Sequence, residues 1–69
     1  MTVTVTAQLI FRRKGQAFNS LYCDNPAQGW RYAAMASRYS DCRVELWYVY
    51  DRMPLGTSGR KMVARWSEL

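Results

Sequence analysis

The chain has 69 residues, 49% hydrophobic and 14% aromatic, with 10 Lys or Arg against 5 Asp or Glu, a formal charge of +5 and no histidine. That length allows one compact domain over residues 1–69, because a second folding unit needs about 50 residues of its own; the aromatic content excludes a disordered polyelectrolyte. Without histidine the commonest general base is missing, Ser-His-Asp and Cys-His sets cannot be assembled, and zinc loses a usual ligand.

The expectation is therefore a non-enzymatic protein with no cofactor, no metal and no small-molecule substrate. No uninterrupted apolar run exceeds five residues; one such run, residues 46–50, is strand length, far below the roughly 18 residues of a membrane span. No charged segment followed by an apolar one opens the chain, so no secretory leader is expected. These features point to the cytoplasm, the host's if the protein is phage-encoded, and away from a membrane partner.

Residues 2–12 alternate. Val3, Val5, Ala7, Leu9 and Phe11 fall on one side, and Thr2, Thr4, Thr6, Gln8, Ile10 and Arg12 on the other. A period of two rich in β-branched residues reads as a half-buried strand. Arg13-Lys14-Gly15-Gln16 reads as a hairpin turn, followed by a second strand over residues 17–23, with Phe18 and Tyr22 on one face and Leu21 on the other.

A helix is expected over residues 26–39. Asn25 suits the N-cap, Pro26 the first helical position, and Gln28 completes a capping-box-like pattern. At 100° per residue Trp30, Ala33, Ala36 and Ser37 share an arc, with Gly29 and Tyr32 at its edge. Small residues there admit close approach to a sheet, and Trp30 fills the remaining space. The helix start lacks a glycine-rich loop and is no phosphate cradle.

Residues 42–51 alternate again, with Cys42, Val44, Leu46, Tyr48 and Tyr50 facing the core and Arg43, Glu45, Trp47, Val49 and Asp51 opposite. Residues 52–59, with Pro54, Gly56 and Gly59, read as a loop. A last strand over residues 60–66 is expected to turn Met62, Ala64 and Trp66 inward and Lys61, Val63 and Arg65 outward.

The fold class is thus α+β: a two-layer β-β-α-β-β domain with one helix on one face of a four-stranded, mainly antiparallel sheet. Strand orders 2-1-4-3 and 2-1-3-4 both fit. Cys23 and Cys42 flank opposite ends of a helix about 21 Å long, whereas a disulfide needs Cα atoms within about 7 Å. Two buried free thiols are expected.

The layout gathers Arg12, Arg13, Lys14, Arg38, Arg43 and Arg65 at one end, opposed by Asp41 and Glu68; Arg52, Arg60 and Lys61 lie at the other. The first group is suited to neutralise phosphates, or it simply confers solubility and blunts sheet edges. Trp47 and Val49 are expected on the open sheet face beside Ile10 and Val63, ringed by Arg12, Arg43, Lys61 and Arg65. Such an island can stack a base, seat a protein partner or second copy, or only stabilise the sheet. The signature of an RNA-recognition motif is absent.

The stretch Ser20-Leu21-Tyr22-Cys23-Asp24-Asn25-Pro26-Ala27, leading into the helix and then Cys42-Arg43-Val44-Glu45-Leu46-Trp47, resembles the strand, capped helix and following strand of small phage or mobile-element inhibitors of the anti-CRISPR type. The resemblance is architectural and carries over no functional residue. It implies binding to a host nucleoprotein complex, through guide RNA, target DNA or an acidic protein surface, since +5 is the wrong sign for a DNA mimic. The leading expectation is a binding protein that contacts nucleic acid or a nucleoprotein complex through Arg12, Arg13, Lys14, Arg38, Arg43, Trp47, Lys61 and Arg65. The alternative is a protein-only inhibitor or adaptor, or a homodimer, acting through the open sheet face.

Overall fold

The computed structural model describes residues 2–39, 41–53 and 57–66. The elements are β1 (Thr2–Arg13), β2 (Gln16–Cys23), α1 (Pro26–Tyr39), β3 (Arg43–Met53) and β4 (Thr57–Trp66). The strands form one antiparallel sheet in the order β2-β1-β3-β4, and the helix packs on one face. This is the expected α+β architecture with one of the two strand orders left open by the sequence.

Arg13 pairs directly with Gln16, so Lys14 and Gly15 alone make the first turn. Their φ angles of 54° and 82° are both left-handed, as a type I′ hairpin turn requires; that turn matches the right-handed twist of the strands it joins. At the helix start Asn25 Oδ1 accepts from the Gln28 N–H at 2.8 Å, and Gln28 Oε1 accepts from the Asp24 N–H at 2.8 Å. The reciprocal bond thus reaches one residue further back than in a standard capping box.

The core is Ala7 and Leu9 of β1, Cys23 of β2, Ala33 of α1, Cys42, and Val44 and Leu46 of β3, with Phe11, Ala36, Tyr48, Val63, Ala64 and Trp66 packed around it. Both cysteines are free and buried. The helix meets the sheet with Ala33 and Ala36 of the expected arc and Gly29 at its edge, but Trp30 does not fill the space between them. A Cβ on Gly29 would stand 2.6 Å from Ala7 Cβ and 3.0 Å from Leu46 Cδ1. Backbone therefore lies against side chain, and no room is left for an indole beneath the helix. Trp30 moves to the flank, 42% exposed, where its ring meets Trp66 edge-on at 6.0 Å and its Nε1 donates to Tyr48 Oη at 2.7 Å.

The expected loop over residues 52–59 is shorter than the sequence suggested. β3 continues to Met53, β4 begins at Thr57, and Arg52 pairs with Thr57. Ladder hydrogen bonds carry Gly59 as strand despite its weak β propensity. Pro54 and Gly56 lie outside the described residues.

Two bulges set side-chain direction. On β2, Asn19 pairs with Phe11 and Ala17 with Arg12, leaving Phe18 as the extra residue. On β4, Ala64 pairs with Leu46 and Met62 with Trp47, leaving Val63 extra. A bulge inserts one residue and shifts the alternation of everything beyond it. Ala64 and Trp66 face the helix as expected, but Met62 joins Trp47 on the open face and Lys61 pairs with Tyr48 on the helix side. The inward Met62 and outward Lys61 of the sequence reading are thus exchanged, and Val63 packs against the core rather than lying on the open face.

Candidate functional site

The open face is built by alternate residues of three strands. Register places Gln8, Ile10 and Arg12 of β1 beside Trp47, Glu45 and Arg43 of β3, with Met62 and Arg65 of β4 across from Trp47 and Glu45. Arg12 and Arg43 are direct cross-strand partners. Like charges in that position repel, and the pairing is destabilising unless something offsets it.

Glu45 provides the offset. It is only 6% exposed although no helix covers it. Its Oε1 accepts from Arg12 Nε at 3.0 Å and from Trp47 Nε1 at 3.0 Å. Burial works to raise the Glu45 pKa. The hydrogen bonds from Trp47 and Arg12 and the charges of Arg12 and Arg43 outweigh it and hold the carboxyl below its ordinary range. Arg12 Nη1 also reaches the Gly15 carbonyl at 3.4 Å, near the limit of a hydrogen bond. Two arginines thus act on one carboxylate, and Arg65 is its cross-strand neighbour on β4. Arg43 Nε is buried with no hydrogen-bond partner among the described residues, and Arg65 is exposed.

Trp47 lies in this network half-buried. The Arg60 guanidinium stands 4.7 Å from the centroid of its ring, a cation–π arrangement that occupies one face of the indole. Ile10 and Gln8 beneath are buried. The centre of the open face is therefore closed over by its own polar side chains instead of presenting a bare apolar island.

The remaining sequence-derived residues divide by location. Arg13 donates from Nη2 to Asp41 Oδ1 at 2.6 Å, and its guanidinium stands 4.8 Å over Phe18. Lys14 projects from the hairpin turn, exposed, and Arg38 sits exposed in the last helical turn. Register brings Arg12, Arg13, Lys14, Arg43 and Arg65 to one end of the sheet. Lys61 does not join the ring around Trp47, because the β4 bulge turns it to the other face.

Two residues of this arrangement went unread in the sequence. Arg60 replaces Lys61 beside Trp47, and the single extra residue at Val63 that decides this leaves no signature in the alternation. Glu45 was legible in principle, since an acid two residues before Trp47 shares its face in a strand.

No group of three or more Cys, Asp or Glu side chains suited to a metal ion occurs among the described residues. No helix among them is long and apolar enough to cross a membrane. No protein-family model, curated protein or solved structure matches the chain.

Proposed function

We propose that the protein is a small non-enzymatic binding protein that engages the phosphates of a nucleic acid, alone or within a nucleoprotein complex, through Arg12, Arg43 and Arg65 on the open face with Lys14 and Arg13 at the adjoining turn. One observation carries this reading. Arg12 and Arg43 stand directly opposite each other beside a single carboxylate whose oxygen already serves Arg12 and Trp47, and Arg65 is that residue's cross-strand partner. Arg43 Nε has no partner there. That atom is buried and does not itself meet a ligand, but a phosphate held between the arginines would relieve the repulsion between the two guanidinium groups, since charge-assisted bonds from arginine to phosphate are among the strongest hydrogen bonds.

Trp47 has a narrower role in this proposal than a free stacking platform. Arg60 covers one face of its ring and Glu45 holds its N–H, so it fixes the network and offers at most its other face to a base. A nucleoprotein defence complex, the partner implied by the resemblance to phage inhibitors, presents phosphate and protein together, and we propose it as the biological target.

The test is titration of fluorescent single- and double-stranded DNA and RNA at low and moderate salt. Affinity is expected to fall by orders of magnitude with salt, as counterion release requires. Arg43→Ala and Arg65→Ala should each weaken binding on every sequence and reduce the salt slope by about 1. Absence of binding at low salt, or binding indifferent to salt, would overturn the reading and direct attention to a protein partner.

A further inference from the structure

β2 is an edge strand, and its composition is unusual for one. Natural edges carry charge, proline, bulges or cover to prevent strand addition, and of these β2 has only the bulge at Phe18. β4, at the other edge, carries Arg60, Lys61 and Arg65. β2 reads Gln-Ala-Phe-Asn-Ser-Leu-Tyr-Cys, without a charge or a proline, and every residue before Cys23 is exposed. Its large side chains stand in solvent: Tyr22 is 72% exposed, Phe18 53% and Leu21 43%. In a chain of net charge +5, an uncharged apolar edge is a place where two copies can meet without repulsion.

We propose that a second copy of this chain adds to β2, antiparallel, around a two-fold axis through Ser20, joining the two sheets into one. The backbone identifies the centre. The Ser20 N–H donates to Asn19 Oδ1 at 2.8 Å, away from its β1 neighbour Ile10, so it belongs to the outward row of edge groups. In an antiparallel pair, two residues with outward groups exchange both N–H···O bonds. Ser20 and the second copy's Ser20 are such a pair, and Asn19 caps the donor until the partner arrives.

The register that follows is self-consistent. Asn19 lies opposite the second copy's Leu21, Phe18 opposite its Tyr22, and Gln16 opposite its Asp24. Tyr22 pairs with Gln8 and so lies on the open face, whereas Phe18 stands at the bulge with the Arg13 guanidinium over its ring. Each second-copy Tyr22 reaches a shallow depression of about 460 Å³ lined by Gln8, Ile10, Ala17, Phe18, Asn19 and Ser20. Each Asp24 comes alongside the Lys14 turn of the other copy. Neither Asp24 nor Lys14 has an ion pair among the described residues. The contact is isologous and closed by its own symmetry. Both helices lie on one side, and both arginine clusters lie on the other.

This inference concerns a different surface from the phosphate site, and its test uses no nucleic acid. Sedimentation equilibrium from micromolar to millimolar protein should show a monomer–dimer equilibrium. Tyr22→Lys, at an exposed side chain, should weaken it at least about tenfold while circular dichroism stays unchanged. Ser20→Pro removes only an outward donor, which an edge strand tolerates, and should leave a folded monomer; if it does not fold, Tyr22→Lys decides. Asn19→Ala uncaps Ser20 and should strengthen association. A monomer at all concentrations, or a dimer unaffected by Tyr22→Lys, would overturn the proposal, and weaker association in Asn19→Ala would overturn the Ser20-centred register.

Discussion

Gly29 passes over Ala7 so closely that a Cβ at position 29 would stand 2.6 Å from Ala7 Cβ. Ala7 has no torsion with which to yield, so helix or strand must shift. Overpacking of this kind costs about 1–3 kcal/mol, whereas Gly to Ala in a helix returns about 1 kcal/mol of propensity. Gly29→Ala is therefore expected to lower stability by up to about 2 kcal/mol, and Gly29→Val by more, measured as the urea midpoint. A gain in stability would mean that the helix does not rest on the sheet at this point.

Glu45 makes stability depend on acid. Its folded pKa lies below the ordinary one, so the unfolded state binds the proton first as pH falls. The contribution is complete above the unfolded value of about 4.3 and is lost as pH falls through the lower folded one. Glu45→Gln should flatten this acid limb and, by removing the charge opposing Arg12 and Arg43, destabilise the protein at pH 7 by about 1 kcal/mol or more. Urea melts of both proteins between neutral and acid pH check the sign. An unchanged acid limb in Glu45→Gln would remove Glu45 as its source.

Lys14 holds a left-handed backbone with φ 54° at the first position of the hairpin turn. A residue with a Cβ is strained there by roughly 1–2 kcal/mol, and asparagine bears it best after glycine. Lys14→Asn should raise the melting temperature while removing one cation beside the arginines. Opposite movement of stability and of low-salt nucleic-acid affinity in this one variant would separate the fold from the proposed phosphate contact.

The Cys23 thiol is pushed above its ordinary pKa, first by burial and then by the neighbouring Asp24 charge. Stability from this group is complete below the unfolded thiol value of about 8.5 and declines as pH rises toward the folded one. The thiolate is the reactive form, so a thiol reagent should label Cys23 slowly at pH 7 and rapidly only in denaturant. Rapid labelling of the folded Cys23→Ser variant would then assign any fast phase to Cys42.

The indole–phenol contact between helix and sheet is predicted to matter less. Tyr48→Phe deletes the acceptor for Trp30 Nε1, but that bond is exposed, so the expected loss is about 1 kcal/mol or less, read from the same urea melts.

Much of the fold was legible in the chain. Alternation of small and β-branched residues from Val3 to Phe11 and from Cys42 to Tyr50 marks strands because successive side chains point to opposite faces. Asn25, Pro26 and Gln28 mark the helix start because free N–H groups there need acceptors or a residue that lacks one. These are local rules, and local rules determined element order, sheet composition and which face of β1 and β3 is buried. The clustering of Arg12, Arg43 and Arg65 followed from the same antiparallel layout.

What the chain alone did not decide were the relationships between elements. Helical periodicity favoured Trp30 as the inward residue, but the helix turned to set Gly29 on Ala7, since the closest packing excludes an indole. The Val63 bulge exchanged Met62 and Lys61 and brought Arg60 over Trp47, because one extra residue in an edge strand reverses every side chain past it and no local preference records the insertion. Glu45 became a buried, doubly bonded carboxylate only when Trp47 and Arg12 converged on it from two strands. Residue periodicity is a property of one segment and can be read from that segment; helix rotation, bulge position and the charge balance of a face depend on how distant segments meet, and tertiary packing decided them.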